Sequence, residues 1–139
     1  GPPPATTAPP REPPAPPQAT PAGIPDLTLT DEEALDLMMV TMDRLMADDN
    51  LDLLKARYEL VLEASRSEEL HENFEPARER FVGLARALLK ARGCKTPDEH
   101  AAQLVVVMDG ALMDRLIDAS SRLDRDALRE LLTRQLETC

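Results

Sequence analysis

The chain has 139 residues, with 26 acidic against 16 basic side chains and a formal net charge of −10, a sign that repels nucleic acid and argues against direct DNA binding by these residues. One tyrosine, two phenylalanines and no tryptophan leave the core to Leu, Ala, Val and six methionines. Unbranched, polarizable Met fills irregular spaces and suits a cavity that accepts varied ligands.

Eleven of the 13 prolines fall within the first 25 residues, mixed with Ala and Thr. Such a stretch can neither build a hydrogen-bond ladder nor bury apolar area, so residues 1–29 are expected to be a disordered, extended arm. Arg11, Pro14 and Pro17 match the R-x-x-P-x-x-P spacing of polyproline ligands, but proline this dense generates such spacings by chance. The folding unit is then 30–139, about 110 residues, able to bury about two-thirds of its unfolded surface.

Thr30-Asp31-Glu32-Glu33 reads as a capping box opening a helix over Asp31–Asp48, with an apolar face of Leu35, Met38, Met39, Met42, Leu45 and Met46. A second helix, Leu51–Ser65, has a narrow polar strip (Asp52, Lys55, Glu59, Glu63) and is expected to be central. Arg57 lies among Leu53, Leu60 and Ala64, which predicts an ion pair; Tyr58, apolar with one polar tip, suits either a pocket or the core. Ser67 starts a short helical segment that Pro76 should end or kink near Asn73. The main third helix, Glu75–Arg92, follows. It carries two stripes, Phe74, Ala77, Phe81, Leu84, Leu88 and Ala91 beside Val82, Ala85 and Leu89, and so implies two packing partners.

Gly93 suits a left-handed cap, and Thr96-Pro97-Asp98-Glu99 opens a fourth helix reaching Ala119, apolar around most of its surface from Leu104 to Met113. Gly110 in its middle costs about 1 kcal/mol relative to alanine, tolerable where another helix approaches closely. A final helix, Asp124–Thr138, shows the single stripe of an outer helix: Ala127, Leu128, Leu131, Leu132 and Gln135 or Leu136. The fold class is therefore an all-α bundle of about five helices.

No glycine-rich phosphate loop, nucleophile elbow or His-Glu helix motif is present, so an enzyme is not expected and no catalytic residue is assigned. His71 and His100 read as solvent-exposed. Cys94 and His100 alone do not make a zinc site, so no metal or cofactor is expected. Cys94, in a turn, and Cys139, at the end of the sequence, make no disulfide framework, and a reducing cytoplasm is the simplest setting. The longest wholly apolar run, Leu104–Met108, is too short to cross a bilayer, so no membrane partner is expected. Asp109, a carboxylate inside that apolar stretch, demands an Arg or a backbone donor from a neighbouring helix or a second copy.

Lys55-Ala56-Arg57-Tyr58-Glu59-Leu60-Val61-Leu62-Glu63-Ala64-Ser65, with Leu104 through Asp109-Gly110 to Leu116, resembles the C-terminal domain of TetR-type transcriptional repressors over roughly Leu35–Leu136. The resemblance implies a homodimer built from Glu75–Arg92 and Thr96–Ala119 of two chains, and a small-molecule pocket among the earlier helices. In that family DNA is bound by an N-terminal helix-turn-helix unit, whose place here is taken by the proline-rich arm; truncation and natural variation are both open. The expected ligand is small and mainly apolar, held by Met38, Met42, Leu45, Tyr58, Leu62 and Phe81. The expected dimer interface comprises Leu84, Leu88, Leu104, Met108, Asp109, Gly110 and Leu112. A different reading of the same residues is a helical adaptor that recruits a partner protein and has no small-molecule cavity.

Overall fold

The computed structural model describes residues 1–5, 8–11, 13, 27–117 and 123–139. Its element order is α1 (Asp31–Leu45), a single 3-10 turn (Asp48–Asn50), α2 (Leu51–Ala64), α3 (Glu68–Arg92), α4 (Pro97–Ile117) and α5 (Arg125–Glu137), with no strand among the described residues. Residues 1–5, 8–11 and 13 are exposed and without regular structure; Pro14 and Pro17 of the polyproline-like spacing, and Ala119 at the expected end of the fourth helix, lie outside the described residues.

Each boundary has a local cause. Thr30 Oγ1 accepts from the Glu33 amide while the Glu33 carboxylate accepts from the Thr30 amide, both at 3.2 Å, which completes the capping box of α1. The Asn50 side-chain amide donates to the Arg44 carbonyl at 2.6 Å, adding a side-chain donor to one of the last carbonyls of α1. Ser67 caps α3, and Gly93, at φ 94°, ends it in the left-handed region that glycine adopts without penalty. The fold also reaches back past Thr30: the Leu29 amide donates to the Ala91 carbonyl at 2.8 Å, and Leu29 packs on the core.

Two expectations need correction here. Pro76 neither ends nor splits the third helix; α3 runs unbroken from Glu68 to Arg92 with Pro76 inside it. Pro76 and Glu72, whose carbonyl loses its i+4 donor, are both exposed, so water can take the freed acceptor. The second helix is not central: only Leu54 and Ala64 of α2 are buried, and Leu53 is 70% exposed. Its broad apolar circumference lies against one side of α3 and otherwise faces outward.

The core gathers Ala34, Leu35, Met38, Met39 and Met42 of α1, Ala85 and Leu89 of α3, Leu104, Val105, Met108 and Leu112 of α4, and Leu128, Leu132 and Leu136 of α5. Each such side chain contributes about 1.5–3 kcal/mol by leaving water. The helix α5 covers α1 as an outer helix, and the pairs Asp36–Arg129 and Asp43–Arg125 set its register at the rim. Both pairs are exposed, so they orient α5 more than they stabilise it.

The cysteine expectation is also overturned. Cys94, just after Gly93, and Cys139, just after α5, are joined by a disulfide with Cα atoms 5.2 Å apart and a sequence separation of 45. Sequence spacing conceals this proximity because the return of α5 along the bundle creates it. In the chain-entropy account a loop of that length stabilises the fold by about 4 kcal/mol.

Candidate ligand-binding site

Three helices border an open cleft of about 580 Å³, within the size range of small-molecule pockets. The helix α2 offers Arg57, Tyr58, Val61, Ala64 and Ser65, a set recurring every three or four residues and therefore on one face. From α3 come His71, Phe74, Glu75, Arg78 and Glu79, again one face, and from α4 come Asp109, Gly110 and Met113. Val61, Ala64, Phe74 and Met113 give the cleft an apolar lining, with the charged groups around it.

A polar bridge ties the three helices together at this cleft. The Tyr58 hydroxyl of α2 donates to the backbone carbonyl of Asp109 in α4 at 3.2 Å. The Asp109 carboxylate in turn pairs with the Arg78 guanidinium of α3, both side chains half-buried. This is the neighbouring-helix arginine that Asp109 requires. Burial pushes the Tyr58 phenol above its ordinary value of 10.0, and the negative Asp109 adds to that, against the opposing charges of Arg57 and Arg78. Tyr58 is therefore a neutral donor at physiological pH. Arg57 meets an aromatic partner where an ion pair was expected: its guanidinium lies 5.8 Å from the Phe81 ring centroid. His71 is exposed, 3.9 Å from the Glu75 carboxylate.

Of the six side chains expected to hold a ligand, Tyr58 lines the cleft, and Phe81 stands behind it, supporting Arg57. Met38 and Met42 belong to the core at 3% and 0% exposure, and Leu45 is half-buried against that core. Their sulfur-rich stripe packs inward against α4 and α5, so it is unavailable to a ligand. Leu62 is 59% exposed, because it sits about 100° round α2 from Val61, at the middle of the cleft-facing side. Phe74 and Arg78 were missed. The signal for Arg78 was its place four residues after Phe74 and three before Phe81, a cation inside an apolar seam.

The seven residues expected at a dimer interface divide similarly. Leu84 is 63% exposed and Gly110 is exposed; Leu88 and Asp109 are half-buried. Leu104, Met108 and Leu112 are buried in the chain's own core, which turns them away from any second copy. The exposed apolar residues of α4 are instead Val106, Met113 and Ile117, aligned with Gly110 at four-, three- and four-residue steps. An apolar run with so few polar breaks carries no phase, so periodicity alone did not separate the side buried in this chain from the side it leaves exposed.

Comparison with known proteins gives the family to which this all-helical unit belongs. Residues 29–138 match the family model described as "Tetracyclin repressor-like, C-terminal domain", and the chain belongs to that family. At family level it is a regulatory ligand-binding and dimerisation domain. Among curated proteins and among solved structures, none matches the chain. None of the described helices is long and apolar enough to cross a membrane.

Proposed function

We propose that this domain is the ligand-sensing and homodimerisation unit of a cytoplasmic TetR-like transcriptional repressor, in which operator DNA is contacted by a separate helix-turn-helix unit. The cleft between α2, α3 and α4 takes a small, mainly apolar molecule. Its apolar body lies on Val61, Ala64, Phe74 and Met113, and its polar group exchanges hydrogen bonds with Tyr58 or the Arg78–Asp109 pair. The observation that carries this reading is the position of α4. It supplies Asp109, Gly110 and Met113 to the cleft, and Gly110 and Met113 also lie on the exposed stripe that runs from Val106 to Ile117. A second copy packed on that stripe covers apolar surface that the single chain leaves in water. A Cβ added at Gly110 would meet no other helix of this chain within 4 Å, so the stripe is open to a neighbour at that point. A ligand that contacts Asp109 or Met113 more favourably in one pose of α4 than in another shifts the dimer geometry by that difference.

Titration with an apolar fluorescent dye such as anilinonaphthalene sulfonate tests the cleft. Wild-type protein is expected to bind the dye saturably, and Val61→Trp, which fills the cleft, to lose that binding while its circular dichroism stays unchanged. Equal dye affinity in the folded variant would remove the cleft from consideration.

A further inference from the structure

At the end of the bundle where α3 meets α4, three side chains from distant parts of the sequence converge. Cys94 is held by its own amide, which donates to the Leu89 carbonyl at 2.9 Å, immediately after the left-handed Gly93. His100 lies in the first turn of α4, its amide donating to the Thr96 carbonyl at 3.1 Å. Cys139 follows α5, its amide donating to the Leu136 carbonyl at 3.3 Å. The His100 Nδ1 is 2.7 Å from the Cys139 Sγ and 3.7 Å from the Cys94 Sγ. All three candidate ligand atoms lie within 4.8 Å of one another, with Cys94 buried and the other two half-buried. The site is far from the cleft: Glu79 and Gly93 are about 20 Å apart along α3 at 1.5 Å per residue.

A disulfide alone makes no demand on an imidazole. Two sulfurs and a ring nitrogen at one point are, however, the ligand set of a soft, tetrahedral divalent ion, and hard cations such as Mg²⁺ and Ca²⁺ prefer oxygen. We propose that Cys94, His100 and Cys139 form a thiolate–imidazole site for Zn²⁺ when the disulfide is reduced, with the fourth position left to water or an exogenous ligand. Reduction by a dithiol breaks the S–S bond: two electrons and two protons pass to the cysteines, and the reductant leaves as its own disulfide. Metal binding then expels both thiol protons. The sulfurs must separate to about 3.8 Å to share a tetrahedral ion at normal Zn–S distances. Rotation of the Cys139 side chain, at the end of its helix, supplies that movement. The same three residues thus link α5 to the α3–α4 turn in either state, by a covalent bond when oxidised and through a metal when reduced.

Cobalt(II) reports this chemistry directly. Full-length protein is reduced with a phosphine, freed of reductant without air, and titrated with Co²⁺. It is expected to take up one ion per chain, with thiolate-to-metal charge transfer and tetrahedral ligand-field bands, both lost when Zn²⁺ is added. Cys94→Ser/Cys139→Ser should abolish the signal, oxidised wild type should show none, and His100→Ala should weaken Co²⁺ binding at least tenfold. His100→Gln serves as the second variant if circular dichroism shows that alanine disturbs the fold. The proposal is overturned if reduced wild type gives no more charge transfer than the double serine variant. It is also overturned if both folded His100 variants bind Co²⁺ as tightly as wild type, since that would make the pair an adventitious dithiol chelate.

Discussion

Tyr58 is the single tyrosine of the chain and its hydroxyl sits at the junction of three helices, so its ionisation can be followed without interference. Its phenol is raised above 10.0, first by burial and then by Asp109, which means that the folded state holds the proton more tightly than the unfolded chain. The stability it contributes is therefore complete below the unfolded phenol value, near pH 10, and is lost as pH rises through the higher folded value. The phenolate ultraviolet band should appear with a midpoint above that of free tyrosine. In Asp109→Asn the midpoint should fall, because the carboxylate that disfavours the phenolate is gone while Arg57 and Arg78 remain. An unchanged midpoint would break the link between the two residues. Asp109 was legible as a residue in need of a cation, since a lone carboxylate in an apolar stretch is costly. Cys139 was not legible as a partner of Cys94 or His100, because only the path of α5 brings it to them.

Among the elements, legibility followed how sharply each helix divides into faces. The single stripes of α1 and α5 gave their buried sides correctly: Met38, Met39 and Met42 in the one, Leu128, Leu132 and Leu136 in the other, are all in the core. For α4 the run from Leu104 to Met108 fits any phase, so the burial of Leu104, Met108 and Leu112 in the chain's own core was not readable from it. A pair of substitutions separates the two faces of this helix. Leu112→Ala removes a fully buried side chain and should cost about 2–5 kcal/mol in chemical denaturation. Val106→Ala, at 63% exposure, should change the fold by no more than about 0.5 kcal/mol while weakening self-association in sedimentation. If Val106→Ala left association untouched, the exposed α4 stripe would not be the dimer contact.

For the whole molecule, the family was readable as a resemblance, and the all-helical class and the order of the helices were readable in advance. Local capping and apolar periodicity encode them, and neither depends on how the helices finally pack. The position of the cleft was not readable, because it forms where the outward-facing α2 leans on α3 and α4, and its lining mixes charged with apolar side chains. The negative charge of −10 is consistent with a domain that senses a small molecule and leaves DNA contact to another unit. Native mass spectrometry of the purified chain puts that account to its most direct test, since one spectrum weighs both the assembly and any small molecule it carries. The expected result is a dimer, at twice the chain mass of 15.3 kDa, that gains mass when a cleft ligand is bound. A 15.3 kDa monomer with nothing bound, at concentrations where the protein is folded, would contradict the sensing-dimer account and favour a helical adaptor.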